Sequence, residues 1–151
     1  MPQLSLLTPL GDITLSEEDG AIVALDWGRS STPSATSLLR QACAQLHDYF
    51  DGVRRVFDLP LAPRGSAFQR RVWAALRRIP FGATVSYAEL ARALDTSPRA
   101  VGQANARNPI PILIPCHRVV AADGALGGYS GPEGPATKRF LLDLESRTHP
   151  A

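Results

Sequence analysis

Apolar and polar residues alternate along the first 28 residues of the chain. Glycine-containing pairs, Gly11-Asp12 and Asp19-Gly20, divide this stretch into three segments. A period of two that is broken by turn-forming residues predicts a small antiparallel sheet with tight turns. The apolar positions are Leu4, Leu6, Ile13, Leu15, Ile22, Val23, Leu25 and Trp27.

The spacing of apolar residues changes after this sheet. In residues 37–50 they recur every three or four positions and stop before Gly52, which predicts a helix that packs on the sheet. Residues 54–59 are predicted to form one more strand. The sequence Leu-Ala-Pro-Arg-Gly at 61–65 is typical of a linker.

The linker divides the chain into two predicted domains, residues 1–63 and residues 64–151. Their charges differ in sign: the first carries 4 basic and 8 acidic residues, and the second carries 12 basic and 6 acidic residues. The balances are −4 and +6, although the whole chain is only +2. A basic domain rich in Arg favours a polyanionic partner such as nucleic acid.

Helix start signals occur at three serines in the second domain, Ser66, Ser86 and Ser97. Glu89 completes a capping box with Ser86, and Pro98 occupies the first helical position after Ser97. Only a short turn separates the second and third of these helices. The pattern therefore predicts a helix-turn-helix.

Small residues dominate the third helix, and Gly102 lies in its middle, where glycine costs helix stability. Close approach of another backbone, from protein or nucleic acid, would explain it. Beyond this helix, residues 110–114 are predicted to form a short buried strand and residues 119–124 a hairpin. A last helix, at about 136–146, carries Glu145 near its apolar face.

A candidate nucleophile follows the predicted strand at 110–114. Cys116, His117 and Arg118 place a thiol, an imidazole and a guanidinium side by side, directly after Pro115. A thiolate with a base or a cation beside it is a strong nucleophile near neutral pH. A Cys-His pair alone is more often structural, so the surrounding pattern decides its interpretation.

Composition excludes several other classes of protein. No apolar run is long enough to span a bilayer, and two cysteines fit a reducing compartment better than a disulfide scaffold. Cys43 and His47 share a helix face, but residues 1–63 contain no further Cys or His, so a tetrahedral zinc site lacks ligands. We expect a cytoplasmic monomer without a metal or a membrane partner.

The second domain resembles the O6-alkylguanine-DNA alkyltransferases over about residues 64–146. The matching residues, in the order and near-spacing of that family, are Tyr87, Arg99-Ala100-Val101-Gly102, Asn108-Pro109, Pro115-Cys116-His117-Arg118-Val119, Gly128-Tyr129-Ser130 and Leu141-Leu142 with Glu145. The resemblance implies an α+β fold. A small N-terminal ribonuclease-H-like antiparallel sheet domain would precede a mainly helical C-terminal domain with a helix-turn-helix.

The resemblance also implies direct reversal of DNA damage. Cys116 would accept the alkyl group of O6-alkylguanine irreversibly, so each molecule would act once, without a cofactor. His117 would act as base through a bridging water, and Glu145 would orient the imidazole. Asn108 would join the two motifs through backbone hydrogen bonds, and Tyr87 would give a proton to the guanine ring. Activity on O4-alkylthymine and the preferred adduct size stay open.

Substrate-binding and DNA-binding roles follow from the same resemblance. The substrate residues would be Ser130 for O6, the Cys116 and Val119 carbonyls for the exocyclic amine, and Pro111 and Tyr129 for the alkyl slot. Arg99 would fill the gap left by the flipped base while Tyr87 crowds the adjacent phosphate. The DNA contacts in the minor groove would involve Gly102, Gln103 and Arg107. The loop at 132–135 is longer than is usual in the family.

Two other classes of function remain open from the residues alone. A cysteine hydrolase would use Cys116 and His117 for acyl transfer and would turn over, because thioesters hydrolyse. A helix-turn-helix protein that only senses damage or regulates transcription would bind DNA without needing the thiol. The hydrolase leaves Arg99 unexplained, and the sensor leaves Cys116 unexplained.

Overall fold

The computed structural model describes residues 1–125 and 134–148. The chain divides into two compact units, Met1–Arg64 and Gly65–Ala151. Each unit has its own hydrophobic core. In the described residues, no helix is long and apolar enough to cross a membrane.

The first unit is a three-stranded antiparallel sheet covered by one helix, as the alternating pattern predicts. The strands follow one another in the order β1-β2-β3, and the inner faces of β1 and β2 pack against α1. Ile13 and Leu15 of the central strand and Leu39 and Leu46 of the helix are fully buried. The elements are β1 (Gln3–Thr8), β2 (Gly11–Glu18), β3 (Ala21–Trp27) and α1 (Ser37–Phe50).

The strand predicted at 54–59 is wrong, because this stretch is irregular. A buried side chain from α1 replaces the strand partner: the Gln45 amide donates to the Asp58 carbonyl at 3.1 Å and accepts from the Asp58 amide at 2.9 Å. One side chain thus satisfies the backbone groups that a neighbouring strand would otherwise pair.

The second unit is mainly helical. All three predicted helix starts are confirmed: Ser66, Ser86 and Ser97 are N-caps, and their hydroxyls accept from the backbone three residues later. A short turn joins the second and third helices, so the helix-turn-helix is present. The elements are α2 (Ala67–Leu76), β4 (Val85–Ser86), α3 (Tyr87–Ala93), α4 (Pro98–Ala106), β5 (Val119–Val120) and α5 (Pro135–Thr148).

The strand predicted at 110–114 is also wrong, because these residues form a tight turn. The Ile114 amide donates to the Ile110 carbonyl at 2.9 Å, and Ile112 has φ +74°. A β-branched residue rarely adopts this left-handed conformation. The apolar composition reflects burial of the turn and not pairing in a sheet.

The hairpin predicted at 119–124 is described only as far as its turn, where the Ala121 amide donates to the Ala125 carbonyl at 2.8 Å, and the residues that would form its second strand lie outside the described residues. The strand β5 also pairs in parallel with β4, with Val85 opposite Val119. The partner strand lies more than thirty residues earlier in the chain, so no local pattern could reveal the pairing. This pairing brings the start of α3 beside the segment that contains the cysteine.

Candidate active site and DNA-binding helix

Cys116 begins a single 3₁₀ turn, Cys116–Arg118, and its side chain is 2% exposed. Hydrogen bonds hold both ends of its backbone: the Cys116 amide donates to the Ile114 carbonyl at 2.8 Å, and the Cys116 carbonyl accepts from the Asn105 side-chain amide at 3.2 Å and from the Val119 amide. The candidate nucleophile is therefore fixed by its own backbone to the preceding turn and to helix α4.

Asn108 organises the turn that leads to the cysteine. Its side-chain oxygen accepts from the Ile110 amide at 2.9 Å, and its side-chain nitrogen donates to the Ile114 carbonyl at 2.8 Å. Pro111 lies inside this turn, where it forms an isolated bridge with Ile114. These are backbone contacts of the kind expected for an Asn that links the two motifs.

His117 and Arg118 both bind the carboxylate of Glu145. Nε2 of His117 donates to Oε2 at 2.6 Å, and Nε and Nη2 of Arg118 donate to Oε1 and Oε2 at 2.8 and 3.0 Å. Arg118 also donates through Nη1 to the Ile79 carbonyl at 2.7 Å. The expectation that Glu145 lies near the apolar face of its helix is confirmed, since it is 1% exposed.

These contacts determine the charge of each group. Burial raises the pKa of Glu145, but hydrogen bonds and charges from His117 and Arg118 outweigh it, so the pKa lies well below its usual value. Burial lowers the pKa of His117; the Glu145 carboxylate opposes this in part, and the charges of Arg118 and Lys138 add to it. At neutral pH the site therefore contains an ionised carboxylate beside a neutral imidazole.

The tautomer of His117 follows from its partner. An ionised carboxylate only accepts hydrogen bonds, so Nε2 carries the proton and Nδ1 presents a lone pair. Nδ1 is buried and has no hydrogen-bond partner among the residues that the structure describes. It is thus a base that faces away from Glu145.

Tyr87, at the start of α3, comes close to the cysteine. Burial raises the pKa of its hydroxyl and the charge on Cys116 adds to the increase, while the Asn105 side chain lowers it in part. The Nζ atom of Lys138 lies 5.7 Å from the centroid of the Tyr87 ring. The phenol is therefore protonated at neutral pH and belongs to the same cluster as the thiol.

Sequence reasoning missed two residues of this cluster, Asn105 and Lys138. In the sequence, nothing distinguishes Asn105 from the other polar residues of its helix. Its contact with the Cys116 carbonyl depends on the tertiary structure. Lys138 is fully buried and donates to the Val119 carbonyl at 2.7 Å. A signal for it existed, because it is the only lysine among the 16 basic residues of the chain.

Three predicted DNA-contacting residues of α4 are exposed: Arg99 in the first turn, Gln103 in the middle and Arg107 at the C-cap. Gln103 and Arg107 also line a surface groove that reaches Ser66 at the start of α2. A side chain at Gly102 would meet nothing closer than the Tyr87 ring at 4.0 Å. No neighbour within the described structure therefore requires a glycine there.

The predicted substrate residues are only partly described. Val119 is fully buried and Pro111 is buried in the turn before Cys116. Tyr129 and Ser130 lie outside the described residues, as do residues 132 and 133 of the loop at 132–135. Within residues 1–125 and 134–148, no three His, Cys, Asp or Glu side chains form a group that could hold a metal ion.

The second unit thus combines a buried thiol, a neutral imidazole bound to an ionised carboxylate, and a helix-turn-helix whose second helix exposes basic side chains. Together these features define a DNA-binding protein with a cysteine nucleophile. The comparisons with known proteins identify the family.

Two family models cover most of the chain. The ribonuclease-like domain of the 6-O-methylguanine DNA methyltransferases matches residues 5–63, and the DNA-binding domain of the same family matches residues 67–147. The chain belongs to the 6-O-methylguanine DNA methyltransferase family. The first match confirms the predicted ribonuclease-H-like N-terminal domain.

Individual relatives are similar over nearly their full length. A constitutive methylated-DNA–protein-cysteine methyltransferase of Bacillus subtilis is 43% identical, covering 91% of each protein. A methylated-DNA–protein-cysteine methyltransferase of Mycolicibacterium paratuberculosis is 44% identical, covering 95% of this chain and 92% of the relative. The crystal structure of Mycobacterium tuberculosis OGT in complex with DNA has a TM-score of 0.89 at 39% identity, covering 100% of this chain and 96% of that one.

Proposed function

We propose that this protein repairs DNA by transferring the alkyl group of O6-alkylguanine to the sulfur of Cys116. As a member of its family it is a DNA-repair methyltransferase that uses a cysteine of its own chain as the acceptor. The proposal adds the particular cysteine, the residues that assist it and the way the lesion reaches it. Residues 64–151 would carry out both DNA binding and transfer.

The transfer is a single displacement at carbon. His117 takes the thiol proton through a bridging water, which is supported by the unpartnered lone pair on Nδ1 and by the neutral imidazole. The Cys116 thiolate forms a bond to the alkyl carbon while the bond from that carbon to O6 breaks. Glu145 holds the ring and stabilises the imidazolium that results.

The electron pair of the broken bond passes to the guanine base, which needs a proton. Tyr87 is the proposed donor, and its raised pKa keeps the hydroxyl protonated until the base acquires charge. Ser130 is proposed to bind O6, the Cys116 and Val119 carbonyls to accept from the exocyclic amine, and Pro111 and Tyr129 to line the alkyl slot. Asn108 holds the turn on which the cysteine stands.

The S-alkylcysteine product would be stable in water. A thioether has no carbonyl for water to attack, so the alkyl group stays on the sulfur. Each molecule then acts once and as a monomer. We place the reaction in the cytoplasm, where a reducing environment keeps Cys116 as a thiol.

The lesion must leave the double helix to reach a cysteine that is 2% exposed. We propose that α4 enters the minor groove and that Arg99 fills the vacated position in the base stack, while Tyr87 crowds the adjacent phosphate. Gly102 would allow the helix to approach closely, and Gln103 and Arg107 would contact the DNA backbone. The exposure of Arg99, Gln103 and Arg107 supports this assignment.

The observation that carries the proposal is the buried Cys116 next to His117, whose neutral imidazole is bound to the ionised Glu145 carboxylate. It is tested by mixing the protein with an O6-methylguanine duplex and measuring intact mass, followed by peptide mapping. We expect one methyl group per molecule, located on Cys116, and none in Cys116→Ala, which should still bind DNA. A methyl group on another residue, or repair of a molar excess of lesions, would overturn the proposal and favour a hydrolase-like catalyst.

Base flipping has a separate test. Arg99→Ala should keep a reactive thiol but lose most of its activity on duplex DNA, because nothing then fills the gap in the stack. Arg92→Ala, in the preceding helix α3, removes an exposed arginine from the same motif and serves as the control. Equal rates for Arg99→Ala and the wild type on duplex would remove the flipping role.

A further inference from the structure

Asn105 is a buried amide on the inner face of helix α4. The residue is 4% exposed, and its contact with the Cys116 carbonyl at 3.2 Å is made by Nδ2. That nitrogen carries a second proton, and burying an amide is costly unless its polar atoms are hydrogen-bonded. The second proton therefore needs an acceptor among the neighbours of α4.

Tyr87 is that neighbour. A Cβ at Gly102 would lie 4.0 Å from two atoms of the Tyr87 ring, and Gly102 and Asn105 share a face of α4 because they are separated by three positions. The Asn105 side chain also forms a hydrogen bond with Tyr87. One amide thus contacts both the cysteine segment and the phenol.

The direction of the hydrogen bond between Asn105 and Tyr87 follows from its effect. A bond that is donated to the tyrosine oxygen favours the phenolate, whereas a bond that accepts the hydroxyl proton favours the phenol. The Asn105 side chain lowers the pKa of Tyr87, so its amide donates. The Oδ1 atom of Asn105 agrees with this direction, since it is buried and has no partner among the residues that the structure describes.

The Tyr87 hydroxyl therefore keeps its own proton for another acceptor. In the proposed transfer that acceptor is the guanine ring. Hydrogen bonds that follow one another in a chain polarise each other, so the amide makes the hydroxyl a stronger donor. The negative charge that forms on the oxygen already faces a donor that is fixed in place.

We propose that Asn105 is a positioning residue of the alkyl transfer, whose amide joins the Cys116 carbonyl to the Tyr87 oxygen and directs the Tyr87 proton towards the guanine leaving group. This inference rests on the proposed function, since it takes Cys116 as the acceptor and Tyr87 as the proton donor. As the bond from the alkyl carbon to O6 breaks, the Tyr87 proton passes to the guanine, and the phenolate oxygen stays hydrogen-bonded to Nδ2. Asn105 keeps both amide protons throughout.

A simpler role for Asn105 would be to anchor the cysteine alone. Its contact with the Cys116 carbonyl would then hold the nucleophile without any action on Tyr87. The two roles differ in their effect on other reactions of the thiol. Loss of an anchor slows every alkylation of Cys116, whereas loss of the action on Tyr87 slows only those whose leaving group takes up a proton.

Asn105→Leu separates these roles, because it removes the amide and keeps a buried side chain of similar size. Single-turnover transfer from an O6-methylguanine duplex should slow about ten-fold, since the forming phenolate loses a hydrogen bond. Alkylation of Cys116 by methyl iodide, located by peptide mapping, should keep the wild-type rate, because iodide leaves without a proton. Equal losses in both reactions, or no loss with the duplex, would overturn the proposal.

A double-mutant cycle tests whether Asn105 acts through Tyr87. In a Tyr87→Phe background no phenol remains, so Asn105→Leu should cause much less than the ten-fold loss that it causes alone. The same loss in both backgrounds would overturn the proposal. Gln45→Leu removes a buried amide that binds backbone groups in the first unit, and it should lower stability while leaving both rates unchanged.

The hydrogen bonds can also be observed with Asn105 in place. The chain has two asparagines, Asn105 and Asn108, so protein labelled with nitrogen-15 asparagine has two side-chain amide signals in an NMR spectrum. Tyr87→Phe should move one Nδ2 proton of Asn105 towards the shift of a free amide and leave the Asn108 signal unchanged. An Asn105 signal that does not move would overturn the proposal even if Asn105→Leu does not fold.

The outcomes distinguish this inference from the proposed function. If the wild type methylates Cys116 but Asn105→Leu slows methyl iodide and the duplex equally, only the action of Asn105 on Tyr87 is lost. If the wild type carries its methyl group on another residue, the proposed function fails whatever the Asn105 variants do.

Discussion

At the scale of single residues, Glu145 connects several groups of the candidate site. Its carboxylate accepts from His117, from Arg118 in a bidentate pair and, at 3.3 Å, from the Gly82 amide. The contacts with His117 and Arg118 are buried, so each of them depends on the others being complete. The same carboxylate therefore matters for stability as well as for the orientation of the His117 imidazole.

Glu145→Gln should destabilise the protein strongly, because it leaves the Arg118 guanidinium buried without a counter-charge. We expect a loss of about 3–5 kcal/mol in the free energy of unfolding, measured by urea denaturation. Asp143→Asn, at an exposed position of the same helix, should change it by less than about 0.5 kcal/mol. Equal effects of the two substitutions would show that the buried network contributes no special stability.

The low pKa of Glu145 also predicts how this contribution depends on pH. A carboxyl whose pKa is lower in the folded state stabilises the fold above its unfolded pKa of about 4.3, and this contribution disappears as pH falls through the folded value. The stability difference between the wild type and Glu145→Gln should therefore be constant near neutrality and shrink below about pH 4. A difference that grows on acidification would contradict the assigned charge.

At the scale of elements, helix α4 retains a glycine that its own packing does not require. A Cβ at Gly102 would make only ordinary contacts, and glycine in a helix interior is less stable than alanine. Stability alone would favour another residue there. We therefore infer that the glycine at this position serves the approach of α4 to a partner outside the described fold.

Substitution at Gly102 should separate stability from DNA binding. Gly102→Ala should raise the free energy of unfolding by about 0.5–1 kcal/mol, as judged by denaturation. Gly102→Leu should weaken binding to duplex DNA in a titration, since it adds bulk to the proposed groove-facing side. Ala93→Leu adds bulk to an exposed position of α3 and should bind DNA normally. Full affinity in Gly102→Leu would argue against close approach at this position.

A different glycine is required by packing. A Cβ at Gly65 would lie 2.5 Å from the Trp73 ring, and that indole is fixed because its Nε1 donates to the Ala104 carbonyl at 2.8 Å. We expect Gly65→Ala to lower the free energy of unfolding by about 1–3 kcal/mol, measured by thermal or urea denaturation. A neutral result would show that the link before α2 can move aside.

Elements with local signals were predictable, and short ones that depend on distant partners were not. The N-caps at Ser66, Ser86 and Ser97 act within a single turn, so their residue types alone indicate where the helices begin. The strand pair β4 and β5 has two residues in each strand and depends on a distant partner. Neither composition nor periodicity distinguishes such a segment from a buried loop.

At the scale of the whole molecule, the separation of charge along the sequence predicts how DNA binding responds to salt. The basic second unit should release counterions from the phosphate backbone, so affinity for duplex DNA should fall as salt rises. Arg107→Gln should lower affinity on all sequences and reduce the slope of log affinity against log salt by about one. A slope equal to that of the wild type would place Arg107 outside the interface.

The sequence by itself determined the alternating strands of the first unit, the helix starts, the helix-turn-helix and the Cys-His-Arg segment, because each depends on neighbours within a few residues. It also pointed to the class of the fold and to Glu145, although only through the resemblance. The tertiary structure decided the turn at 110–114, the parallel pairing of β5, and the places of Asn105 and Lys138 beside the cysteine. Those features depend on packing between segments that are far apart in the chain. Such packing does not produce a periodic pattern of apolar residues from which it could be predicted.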